Sequence, residues 1–163
     1  MEITFVAEHL KKEIGLYKEF IAVLQKETEN IVGRDYKGLY ETAGLKEGLI
    51  IRIEKASRSR GVLMHEAAAT LGIRGETKLS SIIEKVSGDL KEELMESQAT
   101  ILSLLESIKE INSLNSLVVK ESLDNINKTL GFLGNFMPST VYNPTGAFEG
   151  SYSVKGARLS EGA

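Results

Sequence analysis

Residues 89–133 read DLKEELMESQATILSLLESIKEINSLNSLVVKESLDNINKTLGFL, and this stretch decides the fold. It holds no proline and no glycine before Gly131, and Leu90, Leu94, Ile101, Leu105, Ile108, Val119, Ile126 and Leu130 recur at helical spacing. At a rise of about 1.5 Å per residue the spacing predicts a helix roughly 65 Å long, too long for a compact domain unless other helices run beside it. Asn112 and Asn115 stand inside the apolar spacing, three residues apart. Amides on a buried face either fix the register of a bundle or meet a polar group on an incoming helix, and for these two both readings stay open.

Composition agrees with a helical protein. The chain has 163 residues, 42% of them hydrophobic and 26% charged, which is a folded composition of single-domain size. With no tryptophan and only five Tyr and five Phe, the core must come from Leu, Ile, Val and Ala, which suits helix packing better than a β-sandwich. The absence of cysteine removes disulfides and thiolate metal sites and points to a reducing compartment. Twenty basic against 23 acidic residues leave no basic field for nucleic acid. No secretory leader and no apolar run near the ~20 residues of a membrane span are present, so a cytoplasmic protein without membrane insertion is expected. Between 89 and 133 eight acidic residues stand against four basic ones, making the long helix the acidic part of the chain.

Upstream, Leu10, Ile14, Tyr17, Ile21, Leu24, Thr28 and Ile31 step by four and three, with Ile3 and Val6 leading in. They predict a helix over 3–32, ended by Gly33 as C-cap, with Asp35 capping the next. The second helix is expected over 36–71, with Leu39, Ala43, Leu49, Ile50, Ile53, Ala56, Leu63, Ala67 and Leu71 inward. Gly38, Gly44, Gly48 and Gly61 lie within it, each lowering propensity by about 1 kcal/mol relative to alanine unless a neighbour needs the space. A short connector helix follows, with Leu79, Ile82, Ile83 and Val86 on one face, Thr77 as its cap and Asp89 as the cap of the long helix. The expected architecture is therefore all-α: an elongated antiparallel bundle of three long helices with one short connector over 1–133. Residues 134–163, with both prolines and many glycines and serines, are expected to form a disordered tail. That tail still carries Phe136, Tyr142, Phe148 and Tyr152.

No motif argues for catalysis, a cofactor or a metal. His9 and His65 lack the Glu-x-x-His and His-Glu-x-x-His contexts of helical metal sites, and the glycines around Gly72 and Gly75 are not followed by the Lys-Ser/Thr of a phosphate loop. A phosphorelay role for His65 would rest on that histidine alone.

The helix pair, the connector Lys78-Leu79-Ser80 with Ile83, and the series Leu39, Lys46, Leu49 and Ile53 together resemble the flagellar export chaperone FlgN family. So do Ile111-Asn112-Ser113-Leu114-Asn115 with Leu117 and Val118, and Tyr142-Asn143-Pro144-Thr145-Gly146 in the tail. The resemblance implies a non-enzymatic cytoplasmic chaperone. It would bind the hook-filament junction proteins FlgK and FlgL, keep them from assembling early and deliver them to the export gate protein FlhA of the flagellar type III apparatus. Cargo-binding residues are then expected at Asn112, Asn115, Val119, Leu123, Ile126, Leu130 and Leu133, where the first two helices are too short to cover the long one. Tyr142 is the expected gate-docking residue, with Tyr152 competing. The alternative is a self-associating coiled-coil scaffold, and homo-oligomerisation stays open under either reading.

Overall fold

The four-and-three spacing that begins at Ile3 folds as expected into α1, Glu2–Gly33. Val6, Leu10, Tyr17 and Leu24 are buried, and Ile3, Ile14, Ile21, Thr28 and Ile31 are half-buried. The computed structural model describes residues 2–75 and 77–134. Among them are three further helices and no strand: α2 (Tyr36–Thr70), α3 (Leu79–Lys85) and α4 (Asp89–Gly134). Tyr142 and Tyr152, the expected and the competing gate-docking residues, lie outside the described residues.

The turn between α1 and α2 corrects the expected cap by one position. Gly33 is the last helical residue, and Arg34 takes the left-handed conformation, at φ 55°. The Asp35 N–H donates to the Asn30 carbonyl at 2.9 Å and the Arg34 N–H to the Ile31 carbonyl at 3.2 Å, the paired bonds of a Schellman turn. Asp35 then caps α2 as expected, its carboxylate accepting from the Gly38 N–H at 2.9 Å. Gly72, at φ 65°, closes α2 by the same pair of bonds, from Gly72 to Ala69 and from Ile73 to Ala68. Two other expected caps move. Lys78, not Thr77, precedes α3 and makes no side-chain cap bond, while Asp89 sits inside the first turn of α4, where its charge still favours the positive end of the helix.

The chain divides into two compact units, Met1–Val119 and Lys120–Ala163. In the first, α2 runs antiparallel to α1, as the pairs Glu13–Arg60, Glu19–Arg52 and Glu27–Lys46 show. Within this unit α4 runs parallel to α1, because Lys11 pairs with Glu93 while Leu24 and Thr28 bond Asn115 further along. All four helices contribute to one apolar cluster, with Leu10, Ala67, Ile82 and Leu94 fully enclosed. Toward the α1–α2 turn the buried residues become polar: Asn30, Thr42 and Asn115 lie there with Leu24 and Leu49. The inward face of α2 differs from expectation accordingly. Ala43 and Ile50 are exposed, whereas Thr42, Met64 and Ala68 are buried, so the face is centred about one position from the expected one in the first half of the helix.

The four glycines of α2 separate into two kinds. A Cβ at Gly38 would sit 2.8 Å from the Asn30 amide and 2.7 Å from the Asp35 carboxylate, so the close turn requires glycine there. At Gly44, Gly48 and Gly61 a Cβ would meet nothing within 4 Å. Gly44→Ala, Gly48→Ala and Gly61→Ala are each expected to raise stability by up to about 1 kcal/mol in urea unfolding, whereas Gly38→Ala lowers it. Equal effects at all four positions would contradict the distinction.

Of the unit Lys120–Ala163, residues 120–134 are described; they are helical, and every residue over 120–133 is exposed.

Candidate functional site on the last helix

Within the first unit the residues of α4 that face inward are Leu90, Leu94, Ser97, Ile101, Leu104, Ile108, Ile111, Asn115 and Val118, all buried or half-buried and spaced by alternating steps of four and three. This corrects the expected set: Leu105 and Val119 are each 41% exposed, because strict heptad steps select Leu104 and Val118 instead. The two amides also part company. Asn112 is exposed, but Asn115 is 4% exposed and held by α1. Its Nδ2 donates to the Leu24 carbonyl at 3.1 Å and to Glu27 at 2.9 Å, and its Oδ1 accepts from Thr28 Oγ1 at 2.7 Å. Glu27 is in turn gripped by Lys46 of α2, with both oxygens within 3.0 Å. Asn115 is thus the last buried residue of α4 among the described residues, and its bonds tie three helices together.

These bonds support the register reading of Asn115, and they separate it experimentally from its neighbour. Asn115→Ala is expected to cost about 1–3 kcal/mol, since the partners lose a buried bond, while Asn112→Ala should change stability by less than about 0.5 kcal/mol. Similar unfolding midpoints for the two variants would count against it.

Beyond Val119 the helix carries Leu123, Ile126, Leu130 and Leu133, which are 55%, 52%, 60% and 51% exposed. Their steps of three, four and three put four large apolar side chains on one helical stripe. Single exposed leucines need no explanation, but these four together have the spacing of a helix–helix seam. Exposed apolar side chains also occur on α2, at Tyr36, Tyr40 and Ile51, interleaved with the charged Lys37, Glu41, Glu47 and Lys55.

A second polar constellation was not legible in the sequence. Glu13 is 1% exposed between α1 and α2, and Arg60 Nη1 donates to its Oε2 at 2.6 Å. His9 lies one turn earlier, its Nε2 at 3.7 Å from Glu13 Oε1 and at 2.7 Å from the Ala56 carbonyl. A carbonyl only accepts, so Nε2 carries the hydrogen. Burial pushes the Glu13 carboxyl above the usual range, and the charges of Arg60 and His9 pull it back part of the way. The same burial, with Glu13 close by, raises the Tyr17 hydroxyl. The bonds of this cluster run between α1 and α2, from Glu13 to Arg60 and from His9 to the Ala56 carbonyl, so it reads as an internal clamp between the two helices. His65 is exposed, and no group of three metal-ligating side chains occurs among the described residues. Nor, among them, is any helix long and apolar enough to cross a membrane.

The described residues define a class: an all-helical bundle protein whose last helix carries an exposed apolar stripe at heptad spacing. Its family is more specific. The family model described as FlgN protein matches residues 1–150, and the chain belongs to the FlgN family. That membership gives it a flagellar export chaperone role. No curated protein and no solved structure matches the chain.

Proposed function

We propose that this chaperone holds an amphipathic helix of its cargo on Leu123, Ile126, Leu130 and Leu133, and that the cargo are the hook-associated proteins FlgK and FlgL. The observation that supports this reading is the exposed apolar stripe with the four-three spacing of a helix–helix seam. An export cargo whose own terminal helices need a partner to bury their apolar faces would self-assemble or aggregate if left free, and a chaperone helix can substitute for that partner until release. Of the other expected cargo residues, Asn112 and Val119 belong to the first unit and are exposed, and the side chain of Asn115 is occupied by α1. The chaperone works in the cytoplasm and passes its cargo to FlhA. Titration of the purified chain with FlgK and with FlgL tests the assignment: saturable one-site binding to both is expected, and binding to neither would remove them as cargo.

Gate docking is assigned to Tyr142, which lies outside the described residues. A tyrosine ring with its hydroxyl can anchor a segment in a shallow apolar pocket, and Asn143-Pro144 beside it favours a turn that presents the ring. Tyr142→Ala is expected to weaken binding to the cytoplasmic domain of FlhA by about 2 kcal/mol or more while leaving FlgK affinity unchanged. If Tyr152→Ala alone weakens gate binding, the anchor is Tyr152.

A further inference from the structure

We propose that the stripe at Leu123, Ile126, Leu130 and Leu133 recognises its occupant without a charge code. The occupant is an amphipathic helix selected by the four-three spacing of its apolar residues, whatever charges flank them; this rests on the reading that the stripe takes a cargo helix.

The stripe is a seam in its own right. Continuing the steps of the inward residues of α4 past Val118 gives Ser122, Asn125 and Thr129, all polar, whereas Leu123, Ile126 and Leu130 each come one position later. In heptad terms Leu123 and Leu130 occupy a, and Ile126 and Leu133 occupy d. The side chains at e and g line the two edges of such a seam and normally set partner choice through ion pairs. Here those edges carry Ser122, Asn127 and Thr129, none of them charged. The charged residues of 120–134 are Lys120 and Lys128 against Glu121 and Asp124, a net charge of zero. Glu121, Asp124 and Lys128 fall at the outer b and f positions; Lys120, at e of the heptad before Leu123, is the one charge among these residues at an edge position, three residues ahead of the first apolar layer.

The contrast with the rest of the chain is informative. Ion pairs cross the contacts of α1 with α2 and with α4: Lys11–Glu93, Glu13–Arg60, Glu19–Arg52 and Glu27–Lys46. From Ser122 to Leu133 the bare seam lacks charges at the positions that would form such pairs. A partner therefore gains affinity from apolar packing and from neutral polar contacts at the edges, without long-range steering. Partners whose flanks differ in charge then fit one surface equally, which lets a single short seam serve more than one cargo.

The test uses the full chain and three synthetic helical peptides that share one Leu/Ile seam in four-three spacing and differ only in their flanking residues: Gln and Ser, Lys, or Glu. Fluorescence anisotropy at about 50 and about 500 mM NaCl brackets the screening range. The three peptides are expected to bind within about threefold of one another at both salt concentrations, and Ile126→Ser should remove all three. A tenfold preference for one flank charge, or a tenfold loss of affinity with salt, would overturn the proposal. So would equal binding of a peptide with the same composition but scrambled spacing, or no binding of any peptide. A dimer seen by sedimentation that depends on Ile126 and that no peptide displaces would overturn it too, replacing the occupant by a second copy of this chain. Should all three peptides bind alike while FlgK and FlgL do not, the charge-free seam stands and the cargo assignment falls. Salt-sensitive capture of FlgK with unequal peptides would have the opposite meaning.

Discussion

Arg60→Ala is expected to lower folding stability by about 3–5 kcal/mol, because it leaves the Glu13 carboxylate buried without its cation. Glu13 is 1% exposed and its Oε1 makes no hydrogen bond among the described residues, so the Arg60 bond at 2.6 Å is its main compensation. His9, at 3.7 Å, is too distant to replace it. The pH dependence has a definite sign. Burial raises the Glu13 pKa in the folded chain, so the folded state holds that proton more tightly than the unfolded one. The stability from this linkage is fully present below the unfolded value and is lost as pH rises through the raised folded value. Removing Arg60 removes one of the two charges that oppose the shift, so the variant should suffer most at about pH 8 and recover part of its loss at about pH 5. Urea midpoints at those two pH values check this; equal losses at both would show that Glu13 is not the group left stranded. Replacing both partners by leucine should be far milder than Arg60→Ala, since an apolar pair leaves no charge behind.

That clamp marks where sequence reading stopped. Apolar periodicity located all four helices, since a stripe recurring every three or four residues has one way to be buried. It misjudged faces where the buried side chain is polar. Glu13 and Thr42 occupy positions enclosed by neighbouring helices, yet their residue types argue for solvent, and only the partner, Arg60 or a backbone carbonyl of α2, makes burial tolerable. Arg34 illustrates the same limit locally. Glycine at 33 signals a helix end, but which residue turns left-handed depends on where the 6→1 bond closes, and it closes from Asp35 to Asn30. Asn112 and Asn115 look alike in sequence, and the one that is buried is decided by the phase of α4 against Leu24 and Thr28. The stripe after Val119 was legible because its four apolar residues keep steps of three, four and three without a break, and all four are more than half exposed.

Ile126→Ser combined with Leu130→Ser is expected to abolish capture of FlgK and FlgL while leaving the bundle folded. These side chains are 52% and 60% exposed, so the folded chain gains little from them. Covering the half of each side chain that is still exposed would contribute roughly 1–1.5 kcal/mol. Losing both therefore removes about 2–3 kcal/mol of binding, a weakening of roughly 30- to 150-fold. The folding cost is confined to helix propensity, about 0.5 kcal/mol per serine in a surface position. Far-ultraviolet circular dichroism and the urea midpoint should stay close to those of the unmodified chain, while titration with either cargo shows no saturable binding. Glu121→Ser with Lys128→Ser, which alters the outer face of the same turns, is the matched control and should bind as the parent does. Retained capture in the apolar double variant would move the cargo site elsewhere. Loss of helicity or a large drop in midpoint would mean that the stripe contributes to the fold, and its exposure in the single chain would then point to a second copy covering it and not to cargo.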